Sequence, residues 1–192
     1  MPFVECEAGR AFYALAGGPQ TVPPAVLIHG AGGSHLDWPP ALRRLAGRQT
    51  LTLDLPGHGR SEPPGRQSIA EYADWALACL AASLPDAGPT FLIGHSMGAA
   101  VALEMARRAP ARVAGLILIA AGARFPLSAA LLTAPEPVAA LVEMAYGPGA
   151  PAELRRLGWA RLALLEPAIL RDDLRACADF DLRDRLGEVG AL

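Results

Sequence analysis

Lysine is absent from this sequence: all 17 basic residues are arginine. Beside the abundance of Ala, Gly and Pro, this reads as the codon bias of a high-GC genome rather than an adaptive exchange of Lys for Arg. Basic charge is also outweighed by acid, with 19 Asp and Glu and a formal net charge of −2. That balance leaves no electrostatic footprint for nucleic acid or an anionic membrane surface. Cysteine is scarce. Cys6, Cys79 and Cys177 are far apart, odd in number and form no C-x-x-C pair, which argues against a disulfide framework or a zinc site and fits a reducing compartment. Long apolar runs are missing too. Residues 113–123 are too few for a bilayer, which needs roughly 20. Glu5 and Glu7 leave no apolar core for a signal peptide. A cytoplasmic protein without a membrane span is therefore expected. Charged residues make up 19% against 52% hydrophobic, so the chain is globular rather than disordered. Its 192 residues allow one domain of ordinary size with a sizeable core.

What is present is an alternation of apolar strands and amphipathic helices. Residues 3–7 and 10–15 alternate around a turn at Ala8-Gly9 and predict a β-hairpin, closed by Gly17-Gly18-Pro19. Residues 25–28 form a continuous apolar run, which predicts a strand buried on both faces. Residues 38–45 predict a short helix with Pro39 and Pro40 in its first turn, and 50–55 a strand stopped by Pro56-Gly57. Ser68 opens a helix, with Glu71 three residues on and apolar periodicity to Leu84. A strand over 90–93, a helix over 99–108 and an apolar strand over 113–120 follow. This rhythm predicts parallel βαβ units with right-handed crossovers. The fold class is α/β, doubly wound, a mostly parallel sheet flanked by helices. From 124 to about 180 only helical patches occur, broken by Pro135, Pro137, residues 147–151 and Pro167. The expected division is a core over 1–123, a helical insertion over 124–180, and a return towards the core over 181–192.

Gly94-His95-Ser96-Met97-Gly98 reads G-x-S-x-G, and it lies between an apolar strand and an Ala-rich helix, the context its chemistry requires. A sharp strand-to-helix turn lifts the serine hydroxyl into the open. Gly94 and Gly98 meet the need for small residues two before and two after. The helix N-terminus then favours developing negative charge. The bland alternative is a glycine-rich turn with an idle serine. His29-Gly30-Ala31-Gly32-Gly33 directly follows a strand, and such a loop can aim a backbone N–H at an anion. Paired with the Met97 N–H, the Ala31 N–H would make an oxyanion hole. As a phosphate loop it fails, since neither G-x-x-x-x-G-K-[ST] nor G-x-G-x-x-G is matched. Residues 54–61 read D-L-P-G-H-G-R-S, a strand end and a tight turn. Turn chemistry accounts for the Pro and Gly residues, and a structural role is expected for Asp54 and His58.

These three motifs, in this order, resemble the α/β-hydrolase superfamily, in particular its capped branch of serine esterases, lactonases and peroxidase-like enzymes. The resemblance covers residues 3 to about 189. It implies the α/β-hydrolase fold, Ser96 as nucleophile, an oxyanion hole from the N–H groups of Ala31 and Met97, and a helical cap over 124–180. His29, Gly30, Gly94, His95 and Gly98 would support the elbow and loop, His29 by bracing the loop and His95 by packing at the elbow. A serine at this position argues against the branches that use Asp, the haloalkane dehalogenases and epoxide hydrolases.

A serine nucleophile needs a general base oriented by a carboxylate. In this fold the chain order is Ser, acid, His. All four histidines, His29, His35, His58 and His95, precede Ser96, and none shows metal-ligand spacing. His35 falls at a pocket mouth or in solvent. Asp172, Asp173, Asp179, Asp181 and Asp184 read as charges of the insertion or its exit, solvated like most charged helix faces. The expectation is that the triad acid, the triad His and the last strands are missing from these residues, leaving an unpaired sheet edge. The function expected is hydrolysis of carboxylic ester, thioester or lactone bonds through an acyl-enzyme. The alternatives are a non-catalytic small-ligand-binding remnant and a cofactor-free peroxidase-like relative. The expected partner is a small apolar acyl substrate. Leu131, Leu132, Leu141, Met144, Tyr146, Trp159 and Leu162 either line its pocket or simply pack helices together. Neither cofactor nor metal is implied, and oligomeric state is not legible.

Overall fold

The computed structural model describes residues 3–6, 9–18 and 22–190. Ala8 of the predicted hairpin turn and Pro19 at its close lie outside the described residues. Six strands form one sheet: β1 Phe3–Cys6, β2 Gly9–Ala16, β3 Ala25–Ile28, β4 Thr50–Leu53, β5 Thr90–His95 and β6 Val113–Ile119. Their order across the sheet is β1-β2-β4-β3-β5-β6. β1 and β2 pair antiparallel, as does β2 with β4, while β4, β3, β5 and β6 run parallel. Every residue of β3 and β4 is buried. That is why these runs show no alternation: helices cover both faces.

On one face lie α2 (Ile69–Ser83) and α3 (Met97–Arg108), whose Tyr72, Trp75, Val101 and Met105 join Val26, Leu51 and Leu92 in the main core. On the other face the short α1 (Pro40–Arg43) and its flanks bring Trp38, Leu42 and Leu45 against Ala25, Leu27 and Ile93. α2 begins where its capping signal lies. Ser68 Oγ accepts the Glu71 N–H at 3.2 Å, while the Glu71 carboxylate takes the Gln67 N–H at 2.9 Å.

After β6 the chain is helical: α4 Ala129–Leu132, α5 Pro137–Tyr146, α6 Ala152–Leu162 and α7 Pro167–Asp179. Proline opens both α5 and α7, where a missing N–H costs nothing. A separate cluster of Leu131, Leu141, Leu170 and Leu174 holds these helices together, each buried leucine contributing roughly 1.5–3 kcal/mol. The segment leaves and returns at one place. Arg124 bridges to Asp181, and the Leu182 N–H donates to Ala123 O at 2.8 Å. Among the described residues no strand pairs with the outer side of β6, whose Ile117, Leu118 and Ile119 are 39–49% exposed. No helix among the described residues is long and apolar enough to cross a membrane.

Candidate active site

β5 ends at His95 and α3 begins at Met97, so Ser96 alone makes the turn between them. Its backbone has φ 52° and ψ −121°, a conformation that side-chain-bearing residues adopt only under strain. The packing around it explains why the chain accepts this. A Cβ on Gly94 would fall 2.3 Å from Gly98 O, and a Cβ on Gly98 would fall 2.2 Å from Ile28 O. Strand, turn and helix therefore close to a distance only glycine permits. Ser96 is held by its N–H on Ile119 O at 2.9 Å and by its carbonyl, which accepts the Ala99 N–H at 2.9 Å. Ser96→Gly is expected to stabilise the fold by about 1 kcal/mol, the relief of strain exceeding the extra entropy of an unfolded glycine. Urea unfolding checks this, and a lower midpoint would count against strain at Ser96.

The loop after β3 lies against this turn. A Cβ on Gly30 would be 3.2 Å from both Ser96 Cβ and His95 Nδ1. Met97 opens α3, so its N–H has no acceptor within the helix. Neither it nor the Ala31 N–H finds a backbone acceptor among the described residues. His29 is buried beneath the loop. Its Nδ1–H donates to Gly30 O at 2.8 Å, and its Nε2 accepts the Leu55 N–H at 3.0 Å. Burial, reinforced by nearby His58, pushes His29 down to about 4, which keeps it neutral and suited to both bonds. His95 borders the loop rather than being enclosed. Its side chain is exposed at the end of β5, with Nδ1 close to Gly30.

The turn after β4 holds a polar network. Asp54 is wholly buried and accepts from the N–H groups of His35 (2.6 Å) and Arg60 (2.9 Å) and from His35 Nδ1–H (2.9 Å). His58, also buried, donates Nδ1–H to Pro56 O at 3.0 Å and faces Asp173 Oδ2 through Nε2 at 2.8 Å. Asp173 comes from α7 and is 0% exposed, which overturns its reading as a solvated helix charge. It also accepts the Tyr72 O–H at 2.5 Å and the Gly32 N–H at 3.0 Å. Burial opposes a charge on His58, but the carboxylate beside it outweighs that and raises its pKa. Both ring nitrogens of His29 and of His58 are engaged, so neither can take a proton from Ser96.

Residues 25–190 match the model of the Alpha/beta hydrolase family. The chain belongs to the alpha/beta hydrolase family. It is 41% identical over 106 residues to a pimeloyl-[acyl-carrier protein] methyl ester esterase of Methylococcus capsulatus, covering 54% of this chain and 39% of that protein. Over 101 residues it is 46% identical to the dihydrolipoyllysine-residue acetyltransferase component of an acetoin cleaving system of Pseudomonas putida, covering 50% of this chain and 26% of that protein. These matches span well under half of the curated relatives' lengths. The enol-lactonase of Burkholderia xenovorans shares the fold, with a TM-score of 0.81 at 19% identity, over 99% of this chain and 78% of that one.

In this alpha/beta hydrolase a cavity of about 640 Å³ opens between the loops after β3 and β4 and the α6–α7 region. Gly32–Asp37 and the 57–63 turn wall it on the sheet side, with Arg161, Leu164, Leu165, Glu166 and Ile169 opposite. His35 lines it, its side chain 12% exposed. None of the apolar residues named from the sequence of the insertion does. Leu131 and Leu141 are buried between helices, while Met144, Tyr146 and Trp159 are exposed. An ion pair from Arg161 to Asp37 at 2.7 Å crosses the cavity rim. Asp173 is the residue that sequence reasoning missed. The only available signal was its place in the apolar period of α7, flanked by Leu170, Leu174 and Cys177.

Proposed function

We propose that these residues carry the nucleophile and oxyanion-stabilising part of a serine hydrolase acting on carboxylic ester, thioester or lactone bonds. Ser96 Oγ attacks the substrate carbonyl. The oxyanion that forms accepts hydrogen bonds from the Ala31 and Met97 N–H groups, whose donors are preorganised rather than recruited. The proton of Ser96 passes to a base and on to the leaving oxygen or sulfur, and water then releases the acyl group. We read the base and its orienting carboxylate as supplied from outside residues 1–192: this fold takes them after the nucleophile in the order Ser, acid, His, and all four histidines precede Ser96. Helices α4–α7 act as a cap over the site, and the substrate is a small acyl compound. The observation that carries this reading is the strained, partly exposed Ser96 set between glycines whose replacement would meet backbone. A methyl ester esterase among the relatives supports the ester class.

The test is turnover of a short-chain acyl ester by the full-length protein. Ser96→Ala is expected to lower kcat/KM by about 10⁴-fold or more with the unfolding midpoint maintained. Saturable ester binding without turnover in the unaltered protein would favour the ligand-binding remnant instead.

A further inference from the structure

We propose that Asp173 is a positioning residue: its carboxylate, delivered by α7, fixes the loop that presents the Ala31 N–H. The proposal rests on the reading of Ala31 as an oxyanion donor. Gly32 N–H belongs to the peptide plane that joins Ala31 to Gly32, and it donates to Asp173 Oδ2 at 3.0 Å. Holding that plane sets the backbone of Ala31. The loop needs such a hold. Gly32 has φ +66°, and a glycine there is free to leave the left-handed region without steric penalty. The helices lie directly over it: a Cβ on Gly32 would fall 2.3 Å from Leu162 Cδ2 and 3.3 Å from Leu170 Cδ1. Asp173 thus reaches the loop from within a closed interface.

The choice of a carboxylate follows from its three donors. Oδ2 accepts from Gly32 and faces His58 Nε2 at 2.8 Å, and Oδ1 accepts the Tyr72 O–H at 2.5 Å. His58 Nδ1 faces Pro56 O at 3.0 Å, so both ring nitrogens point at oxygen and both carry protons. The imidazolium gives the buried carboxylate a counter-charge, and a carboxylate can serve two N–H donors on one oxygen. An amide cannot meet both demands. With its oxygen towards Gly32 it leaves a cationic His58 without a counter-charge. With its NH₂ group there it meets the Gly32 N–H donor to donor. The buried ion pair of the D-L-P-G-H-G turn therefore acts on the oxyanion loop through α7, and the loop is set only while α7 is docked.

The experiment compares Asp173→Asn with Tyr72→Phe in the full-length protein, reading amide hydrogen exchange at Gly32 and the steady-state constants on an acyl ester. Tyr72→Phe removes a bond from the same carboxylate on the oxygen that Gly32 does not use. For Asp173→Asn the expected result is Gly32 exchange faster by at least about tenfold. Its kcat falls about 10²-fold, as for loss of an oxyanion donor, with KM within about threefold. For Tyr72→Phe, Gly32 stays protected and kcat stays within about threefold. Unchanged Gly32 exchange in Asp173→Asn overturns the proposal, as does an equal fall in kcat in the two variants. Faster exchange with unchanged kcat, in a protein that Ser96→Ala inactivates, also overturns it. A protein with no Ser96-dependent turnover sinks the parent reading, while the exchange comparison still decides whether Asp173 holds the loop.

Discussion

Gly98→Ala is expected to destabilise the protein by about 3 kcal/mol or more, near the upper end of what overpacking costs. The new Cβ would lie 2.2 Å from Ile28 O, 2.3 Å from His29 O and 2.7 Å from Ile28 C. All three are backbone atoms at the end of β3, and β3 is paired on both sides, so nothing flexible can move away. Relief would require prising α3 from the sheet, which would also shift Met97 and Ser96. For a domain of this size the melting temperature should fall by roughly 6–12 °C. Gly88→Ala is the control. Gly88 is exposed, with nothing within 4 Å of its would-be Cβ, and its replacement should change stability by less than about 0.5 kcal/mol. Equal midpoints for Gly98→Ala and Gly88→Ala would contradict the close approach of helix and strand.

Asp173→Ala is expected to cost about 3–5 kcal/mol, the usual effect of stranding one partner of a buried ion pair. It would leave His58 buried without a counter-charge, and Gly32 N–H and Tyr72 O–H without an acceptor. The same pair gives the unaltered protein a pH signature. His58 has a raised pKa in the fold, burial being outweighed by Asp173. Its contribution is fully present below the unfolded value near 6.5 and is lost as pH rises through the folded value. His29 works in the opposite direction. Burial and the adjacent His58 hold it at about 4, so the unfolded chain binds a proton that the folded one refuses. Stability from this group is lost as pH falls from about 6.5 towards 4. The rings are 5.1 Å apart, and Asp37, Asp54 and Asp173 are the carboxylates that bear on them. Together they predict a stability maximum near pH 6.5, with limbs of up to about 1.4 kcal/mol per pH unit for each proton. Urea midpoints from pH 5 to 9 read both limbs. Asp173→Asn should flatten the upper limb, and a wild-type midpoint that keeps rising above pH 7 would contradict the assignment.

The sheet was legible because its signals are local. Fully apolar four-residue runs such as 25–28 mark strands covered on both faces, and the Ser68 cap marks the start of α2. The turn at Ser96 extends β5 by two residues and starts α3 two residues early relative to the sequence reading. Apolar periodicity registers neither His95 nor Met97, because their places follow from the approach of Gly94 and Gly98 to backbone. The site was legible where a motif prescribes backbone geometry, as at Gly30, Ser96 and Gly98. It was not legible where tertiary packing, rather than a motif, brings side chains together. His58 and Asp173 are 115 positions apart, and the apolar period of α7 that sets Asp173 apart from its half-buried neighbour Asp172 says nothing of the groups it would meet. For the apolar residues of the insertion the sequence left pocket lining and helix packing both open, and Leu131 and Leu141 pack between helices: periodicity says that a residue is covered, not what covers it.

The most direct test of the account is reaction of the full-length protein with a fluorophosphonate, followed by mass-spectrometric mapping of the adduct. The prediction is a single phosphonylated residue, Ser96, with labelling abolished in Ser96→Ala. An adduct at another residue, or ester turnover that persists in Ser96→Ala, would contradict it.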